Sequence, residues 1–261
     1  MGIVERKERE KEARRVQILN AAQKVFEAQG IGQASMDEIA KEAELAKGTI
    51  YLYYKNKDEL IIGMILRGFE HLYDMIVFET APLSRGIEKI QGVSEAYRKF
   101  STEHRFLFSL MNVSEPPAKA NIGSELIDEL SRLSERIWKM FFGFTDEAKA
   151  DGDLKPEVNG FTLVLTLWLS ATGVLRMYNK CICNNGNNVF SARKGGVKLE
   201  YLDWQYVYDH TMRMLMENAV TEQGRAHLAP IDWKPLEAMG FGEHLEGVAN
   251  MFSPQEAEVI A

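Results

Sequence analysis

The chain has 261 residues, of which 46% are hydrophobic and 26% charged, a composition typical of a globular protein with one or two domains. Its first residues lack the apolar run of a secretory signal, and its longest uncharged apolar run, 159–175, is shorter than the roughly 20 residues that span a membrane. Cys181 and Cys183 fit neither a disulfide framework nor a four-ligand metal site. We therefore expect a cytoplasmic protein that binds no membrane, metal or cofactor. Its segment 159–175 is expected to form a buried helix.

Charge is unevenly distributed along the chain. Residues 1–60 carry 11 basic and 11 acidic side chains, so the net charge of −7 falls on the remaining 201 residues. Lys47, Lys55 and Lys57 form a basic group with no acidic residue among them. Such a group fits a binding site for a polyanion, but lysines on a solvated helix surface give the same pattern.

Hydrophobic periodicity and end signals predict several short helices near the N-terminus. Apolar residues recur on one helical face from Arg14 to Gln29, and Gly30 ends that helix. Ser35 with Glu38 three residues later forms a capping box, which predicts a short second helix that ends before Leu45.

A third helix is predicted from Lys47 to Tyr54, followed by a fourth. Asn56 can cap this fourth helix, and Asp58 and Glu59 lie in its first turn, where the helix dipole favours anions. Two short helices joined by a tight turn, as in the second and third here, are typical of a helix-turn-helix.

Four motifs occur in order in this region: ILNAAQKVFEAQG, SMDEIAKEA, KGTIYLYY and KNKDEL. Together they make the segment from Val16 to Ile62 resemble the DNA-binding domain of the TetR/AcrR family of bacterial transcriptional regulators. Two positions depart from the family pattern: Glu44 replaces the usual turn glycine, and Ala46 replaces a Ser or Thr cap. Each change costs about 1 kcal/mol, so we expect a slightly looser turn.

The resemblance implies that the third helix enters the major groove, where its first residues reach base edges and flanking groups bind phosphates. The expected DNA-binding residues are Ser35, Met36, Lys47, Gly48, Thr49, Tyr51, Leu52, Tyr53 and Lys57. Gly48 would let the backbone approach the DNA, and Tyr51 and Leu52 would meet a thymine methyl group. Tyr53 and Lys57 resemble the phosphate clamps of the family.

Some of these residues have two open interpretations. Lys47 and Thr49 can contact a base or a phosphate, and the Ser35 hydroxyl can cap its helix or bind a phosphate. We assign Ile50 and Tyr54 to the hydrophobic core, because they lie on one face of the third helix.

Helical periodicity continues beyond Leu60 and predicts an all-α fold: a three-helix helix-turn-helix domain followed by a larger helical ligand-binding and dimerisation domain. Five further helices are expected at 60–79, 87–112, 124–144, 157–179 and 201–218. The expected domains are 1–60, with an N-terminal arm at 1–15, then 61–225 and a C-terminal extension at 226–261. The arm either extends the first helix into solvent or places Arg9, Arg14 or Arg15 in a minor groove.

Two segments have the features of a dimerisation seam. The apolar segment 159–175 contains small residues at 170–173 that allow close helix approach, and YLDWQYVYDHTMRMLM at 201–216 supplies a partner helix. Two such helices from each subunit would form a four-helix seam in a homodimer. The connection 179–198 is long enough to be a disordered hairpin or a lid, and the apolar tail is expected to dock on the body.

The resemblance also implies a pocket for a small, largely apolar effector. Its expected lining residues are Phe100, His104, Phe108, Met111, Trp138, Phe142, Trp168 and Arg176. Aromatic and methionine side chains at helical spacing more often form hydrophobic core than line a pocket.

Together these features predict a transcriptional regulator, a repressor that a small molecule releases from a palindromic double-stranded DNA operator. An activator, or a regulator that requires its ligand to bind DNA, is the alternative on the same fold. We do not expect an enzyme, because the sequence lacks converging carboxylates, a nucleophile elbow and a phosphate loop.

Overall fold

The computed structural model describes residues 3–112, 122–183 and 203–230, apart from the side chains of 3, 4, 182 and 183. These residues fold as α-helices with a single isolated β-bridge, between Leu154 and Val220, which confirms the all-α prediction. The helices are α1 (Ile3–Gln29), α2 (Met36–Glu42), α3 (Lys47–Tyr53), α4 (Lys57–Thr80), α5 (Gly86–Glu103), α6 (Arg105–Met111), α7 (Ser124–Ala150), α8 (Gly160–Cys183), α9 (Trp204–Glu217) and α10 (Glu222–Arg225).

Contacts divide the chain into two compact units. The first contains residues 1–75 and 103–138, and the second contains 76–102 and 139–261. The predicted DNA-binding domain 1–60 lies within the first unit, which also includes α6 and the first half of α7. The predicted boundaries at 60 and 225 stay predictions.

The core of the first unit includes α1, α2, α3 and the first turns of α4. Ile18, Ile39, Ile50 and Leu60 are fully buried, one from each of α1 to α4. Burying such side chains contributes about 1.5 to 3 kcal/mol each relative to exposure, and this packing holds the short α2 and α3 in place.

Helix α1 begins earlier than the sequence predicts. It starts at Ile3 instead of Arg14, so the arm is a continuous helical extension whose side chains from Glu5 to Glu12 are exposed. The Arg6 Nε donates to Glu10 Oε1 at 2.8 Å, one helical turn away. Glu, Lys, Arg and Ala all have high helix propensity, which explains a helix without an apolar face.

The predicted helix 87–112 is two helices, α5 and α6, separated at His104. The His104 backbone, with φ −120° and ψ 47°, leaves the helical conformation. In the first unit its ring stacks on His71 of α4 with the ring centroids 4.8 Å apart. Phe106, two residues later, stacks on Phe26 of α1 with the ring centroids 6.5 Å apart. These contacts orient α6 within the first unit, whereas α5 up to residue 102 belongs to the second.

Hydrogen bonds between helices stabilise the second unit. Tyr97 of α5 bonds to Thr172 of α8 at 2.9 Å, and the Tyr208 hydroxyl of α9 donates to the Ser94 carbonyl at 2.8 Å. Phe100, three residues after Tyr97 on α5, is fully buried. The buried hydroxyl groups of Tyr97, Thr172 and Tyr208 therefore have partners, as their desolvation requires.

A short C-terminal segment after α9, with α10, was not predicted. The buried Asp153 carboxylate accepts two hydrogen bonds from the Arg85 guanidinium, both at 2.8 Å, and contacts His227 Nδ1 at 3.1 Å. This cluster fixes the segment to the start of α5. Residues 184–198 of the predicted hairpin or lid, and residues 231–261 of the predicted docking tail, lie outside the described residues.

Candidate nucleic-acid interface

The turn between α2 and α3 adopts the conformation that the sequence predicts. Glu44 has φ 54°, in the left-handed region where glycine is favoured, and the Leu45 N–H donates to the Ala40 carbonyl at 3.0 Å. Ala46 caps α3 with an extended backbone and without a side-chain hydrogen bond. The turn therefore has both unfavourable features that the sequence predicts: a left-handed residue with a side chain, and a helix start without a side-chain cap.

Helix α3 has two distinct faces. Ile50 is fully buried, and Tyr54, directly after the helix, is buried with its pKa raised to about 12 by desolvation. On the other face Leu52 is 84% exposed and Tyr51 41% exposed. The assignment of Ile50 and Tyr54 to the core is confirmed, and a large apolar side chain stands in solvent beside a tyrosine.

The start of α3 is open to a close approach. Gly48 is exposed, and a Cβ atom added to it would meet no atom within 4 Å. Thr49 and Tyr53 are half-buried and flank the exposed residues in sequence. The backbone at Gly48 can therefore come near a DNA backbone without steric hindrance from its own chain.

Lys47 is exposed at the first position of α3 and is paired with an acid of α2. Its Nζ lies 2.6 Å from Asp37 Oδ1 and 5.9 Å from the centre of the Tyr51 ring. The hydrogen bond to Asp37 and the charge of that carboxylate raise the pKa of Lys47. Asp37 was not predicted to contact Lys47, because it lies ten positions away and only the turn brings the two together.

The structure confirms the capping role of Ser35. Its hydroxyl donates to the Glu38 carboxylate at 2.7 Å and accepts the Glu38 N–H at 3.3 Å, while the Ser35 N–H donates to the same carboxylate. The side-chain and backbone hydrogen bonds from Ser35 lower the pKa of Glu38. Since its single proton is used within the cap, a phosphate would have to replace Glu38 as the acceptor of the Ser35 hydroxyl, and that contact stays a prediction.

Met36 and Lys57 have contacts that differ from the expected DNA contacts. The Met36 side chain is buried against the domain, so only its backbone is available to DNA. The Lys57 ammonium donates to the carbonyls of Ile31 at 2.7 Å, Ala34 at 3.1 Å and Gly32 at 3.2 Å. An ammonium has three donors, and here all three contact the connection between α1 and α2, so a phosphate would have to replace one of these carbonyls. The phosphate contact of Lys57 stays a prediction.

Lys55 is a residue to which the sequence analysis gave no separate role. Its side chain is exposed directly after α3, and its N–H donates to Glu59 Oε2 at 2.7 Å. The other oxygen of this buried carboxylate accepts the Gly123 N–H, just before α7, at 3.0 Å. Glu59 thus fixes the backbone that carries Lys55 and leaves the lysine side chain in solvent.

The predicted effector residues are distributed over both units. His104, Phe108, Met111 and Trp138 lie in the first unit, and Phe100, Phe142, Trp168 and Arg176 lie in the second. Phe100 and Phe108 are completely buried and fill the cores of their units, whereas Arg176 is exposed. The pocket stays a prediction.

Helix α8 exposes a large apolar surface. Phe161 is 61% exposed and Leu169 54% exposed, and a Cβ atom added to Gly173 would meet no atom within 4 Å. Val164 and Leu175 of the same helix are buried. The expectation of a buried helix is therefore wrong for one of its faces, because apolar periodicity alone does not say how many faces are covered.

Among the described residues, Gly160–Cys181 is the one segment long and apolar enough to cross a membrane, by length and composition. Within its most apolar stretch of 18 residues, 28% of the residues are buried. The exposed apolar face of α8 accounts for this low value.

Residues 18–64 match the family model of bacterial regulatory proteins of the tetR family. An HTH-type transcriptional regulator of Haemophilus influenzae is 39% identical over 84 residues, which cover 32% of this chain and 41% of that protein. The activator FasR of Mycolicibacterium smegmatis is 28% identical over 116 residues, 43% of this chain and 53% of FasR. The repressor BepR of Brucella suis is 23% identical over 171 residues, 60% of this chain and 77% of BepR. The chain thus spans about half the length of the first two relatives.

Solved structures share the fold over most of the chain. The regulator FadR from Bacillus subtilis, in complex with stearoyl-CoA, has a TM-score of 0.58 at 17% identity and covers 77% of this chain and 97% of its own. FadR from Bacillus halodurans has a TM-score of 0.58 at 18% identity, with 77% and 94% covered. The helix-turn-helix of α2 and α3 lies inside the segment 18–64, which matches the family model of bacterial regulatory proteins of the tetR family.

Proposed function

We propose that the protein is a cytoplasmic transcriptional regulator that binds a palindromic DNA operator as a homodimer and is released by a small-molecule effector. One observation carries the proposal: α3 buries Ile50 and presents Lys47, Gly48, Tyr51 and Leu52 to solvent. A large apolar side chain that is 84% exposed costs solubility without stabilising the domain, and a thymine methyl group is a suitable partner for it.

Within this proposal the exposed residues of α3 divide into two kinds of contact. Tyr51 and Leu52 read base edges from the middle of the helix, and Gly48 allows the backbone to approach a phosphate. Lys47 and Lys55 supply positive charge at the two ends of the helix, where the DNA backbone passes on either side of the groove. Thr49 and Tyr53 complete the surface as partly buried flanking contacts.

The homodimer is proposed from the apolar face of α8. One seven-residue recognition helix reads too few bases for a specific site, and two helices about 34 to 36 Å apart would reach successive major grooves. Phe161, Leu169 and the open space over Gly173 suit a second copy of this chain, since a helix can approach most closely over a glycine.

The effector class is proposed as apolar with an anionic or polar end. FadR, which shares the fold, binds stearoyl-CoA, so this compound is the first probe to test. Relatives include both the activator FasR and the repressor BepR. If the effector releases the protein from DNA, the protein is a repressor. If DNA binding requires the effector, the protein is a corepressor-dependent regulator or an activator.

The proposal is tested by selecting duplexes from a random-sequence library with the full chain and measuring affinity for the selected duplex. We expect Tyr51→Ala and Leu52→Ala each to cost about 1 to 3 kcal/mol per half-site on that duplex and little on a mixed-sequence duplex. Phe78→Ala is the matched control, because Phe78 is an exposed apolar residue of the second unit. Failure of the library to enrich any sequence would contradict the proposal.

A further inference from the structure

The ion pair between Asp37 and Lys47 lies on the surface proposed to face DNA. Their side chains are 63% and 57% exposed, and Lys47 Nζ and Asp37 Oδ1 are 2.6 Å apart. Lys47 also lies 5.9 Å from the ring centre of Tyr51, one turn along α3. The pair therefore places a full negative charge next to the first cation of the recognition helix.

Asp37 is not part of the capping box of α2, and its interaction with the helix dipole contributes at most about 1 kcal/mol. Glu38 already forms both hydrogen bonds of the capping box with Ser35. Asp37 makes an exposed ion pair with Lys47, and such pairs contribute little to folding. A second acid on the first turn of α2 is thus available for a role in binding.

A phosphate near Lys47 has to compete with Asp37. If Lys47 leaves Asp37 for a phosphate, the carboxylate remains unpaired beside the negatively charged DNA backbone. If Lys47 stays with Asp37, the pair is neutral and releases no counterion from the DNA. In both cases Lys47 contributes less to backbone affinity than an unpaired lysine would.

We propose that Asp37 is an affinity-limiting residue, which holds down the sequence-independent part of DNA binding by competing with phosphate for Lys47. This proposal rests on the proposed DNA-binding function. Its consequence is a complex that is weaker and less salt-dependent than the lysine content of α3 implies, and therefore easier to release.

The test is a KCl titration of DNA affinity for the full chain and for Asp37→Asn, Lys47→Ala and the double variant. The probes are the selected duplex and a mixed-sequence duplex of equal length. Glu42→Gln is the matched control, since Glu42 is also an acid of α2 but pairs with Lys24 of α1, at 3.0 Å, and not with a lysine of α3. Thermal unfolding of each variant reports whether the domain stays folded, and Asp37→Ser replaces Asp37→Asn if that variant unfolds.

We expect Asp37→Asn to tighten binding of both duplexes at low salt, by up to about fivefold per subunit, and to steepen the slope of log affinity against log salt by about 0.9 per subunit. Lys47→Ala should weaken binding more in the Asp37→Asn background than in the natural chain, because the lysine is then unpaired. Glu42→Gln should change neither quantity.

An unchanged slope for Asp37→Asn, or weaker binding by a folded Asp37→Asn variant, would overturn the proposal, and the latter would make Asp37 a residue that positions Lys47. In either case the natural chain still binds the selected duplex, so the proposed function stands. If the natural chain binds neither duplex, the proposed function and this inference both fail.

Discussion

Glu44 has a backbone conformation that is unfavourable for a residue with a side chain. Its φ of 54° lies in the left-handed region, and its side chain is exposed, so nothing in the core requires a glutamate there. Glycine reaches the same conformation without the steric cost of a Cβ atom. The strain is therefore local and can be removed by a single substitution.

We expect Glu44→Gly to raise the free energy of unfolding of the DNA-binding domain by about 1 kcal/mol, measured by urea unfolding of the full chain. Glu27→Gly is a control of opposite sign. Glu27 is an exposed residue of α1 in a right-handed helix, where glycine costs about 0.5 to 1 kcal/mol. A Glu44→Gly variant that unfolds more easily than the natural chain would contradict the assignment of strain to the turn.

Lys55 and Lys57 are two positions apart but have opposite roles in the structure. We expect Lys57→Met to lower the free energy of unfolding by about 1 to 3 kcal/mol, because the carbonyls of Ile31, Gly32 and Ala34 lose their donor. Lys55→Met should leave stability unchanged and reduce the salt slope of DNA affinity by about 1 per subunit. Urea unfolding and a salt titration of both variants separate the roles. Equal loss of salt slope in both would restore Lys57 as a phosphate contact.

At the scale of elements, helix bounds were predicted best where capping and stop residues agree with the hydrophobic periodicity. The capping box at Ser35, the stop at Gly30 and the cap at Asn56 all appear in the structure, because each depends on residues within three or four positions. The break at His104 was missed, since no glycine or proline marks it and its cause is packing against His71, which is distant in sequence. The Asp37 and Lys57 contacts were missed for the same reason: each joins segments that only the fold brings together.

The Asp153 cluster gives the C-terminal segment a dependence on pH. Burial raises the pKa of Asp153, but the hydrogen bonds and charge of Arg85, with His227, outweigh burial and lower it below its usual range. A carboxyl whose pKa is lowered by folding stabilises the native state above its unfolded pKa, about 3.9. That contribution is lost as pH falls through the folded value.

We expect Asp153→Asn to lower the free energy of unfolding by about 2 kcal/mol near neutral pH, because Arg85 loses its charged acceptor. The difference from the natural chain should shrink as the pH is lowered below about 4. Urea unfolding at a series of pH values measures it. A difference that is constant down to about pH 3 would show that the carboxylate charge is not what stabilises the segment.

At the scale of the whole molecule, the exposed face of α8 is the surface proposed to contact a second copy of this chain. Since an added Cβ at Gly173 meets no atom of its own chain, Gly173→Trp should leave the fold of the single chain intact. We expect this variant to have about half the solution mass of the natural chain and to lose binding of the selected duplex. Gly143→Trp is the matched control, because that glycine of α7 also has open space over it. Light scattering that gives the same mass for all three proteins would place the subunit contact elsewhere.

The three carbonyls around the Lys57 ammonium also have a chemical consequence. The Lys57 nitrogen must leave its three carbonyl acceptors before it can react with an acylating reagent, whereas the neighbouring Lys55 side chain is exposed. Lysine acylation followed by mass spectrometry should therefore modify Lys55 rapidly and Lys57 slowly. Because Lys57 becomes reactive only when the connection from Ile31 to Ala34 opens, its acylation rate is a built-in reporter of local opening in the DNA-binding domain, read from a single residue without any added label.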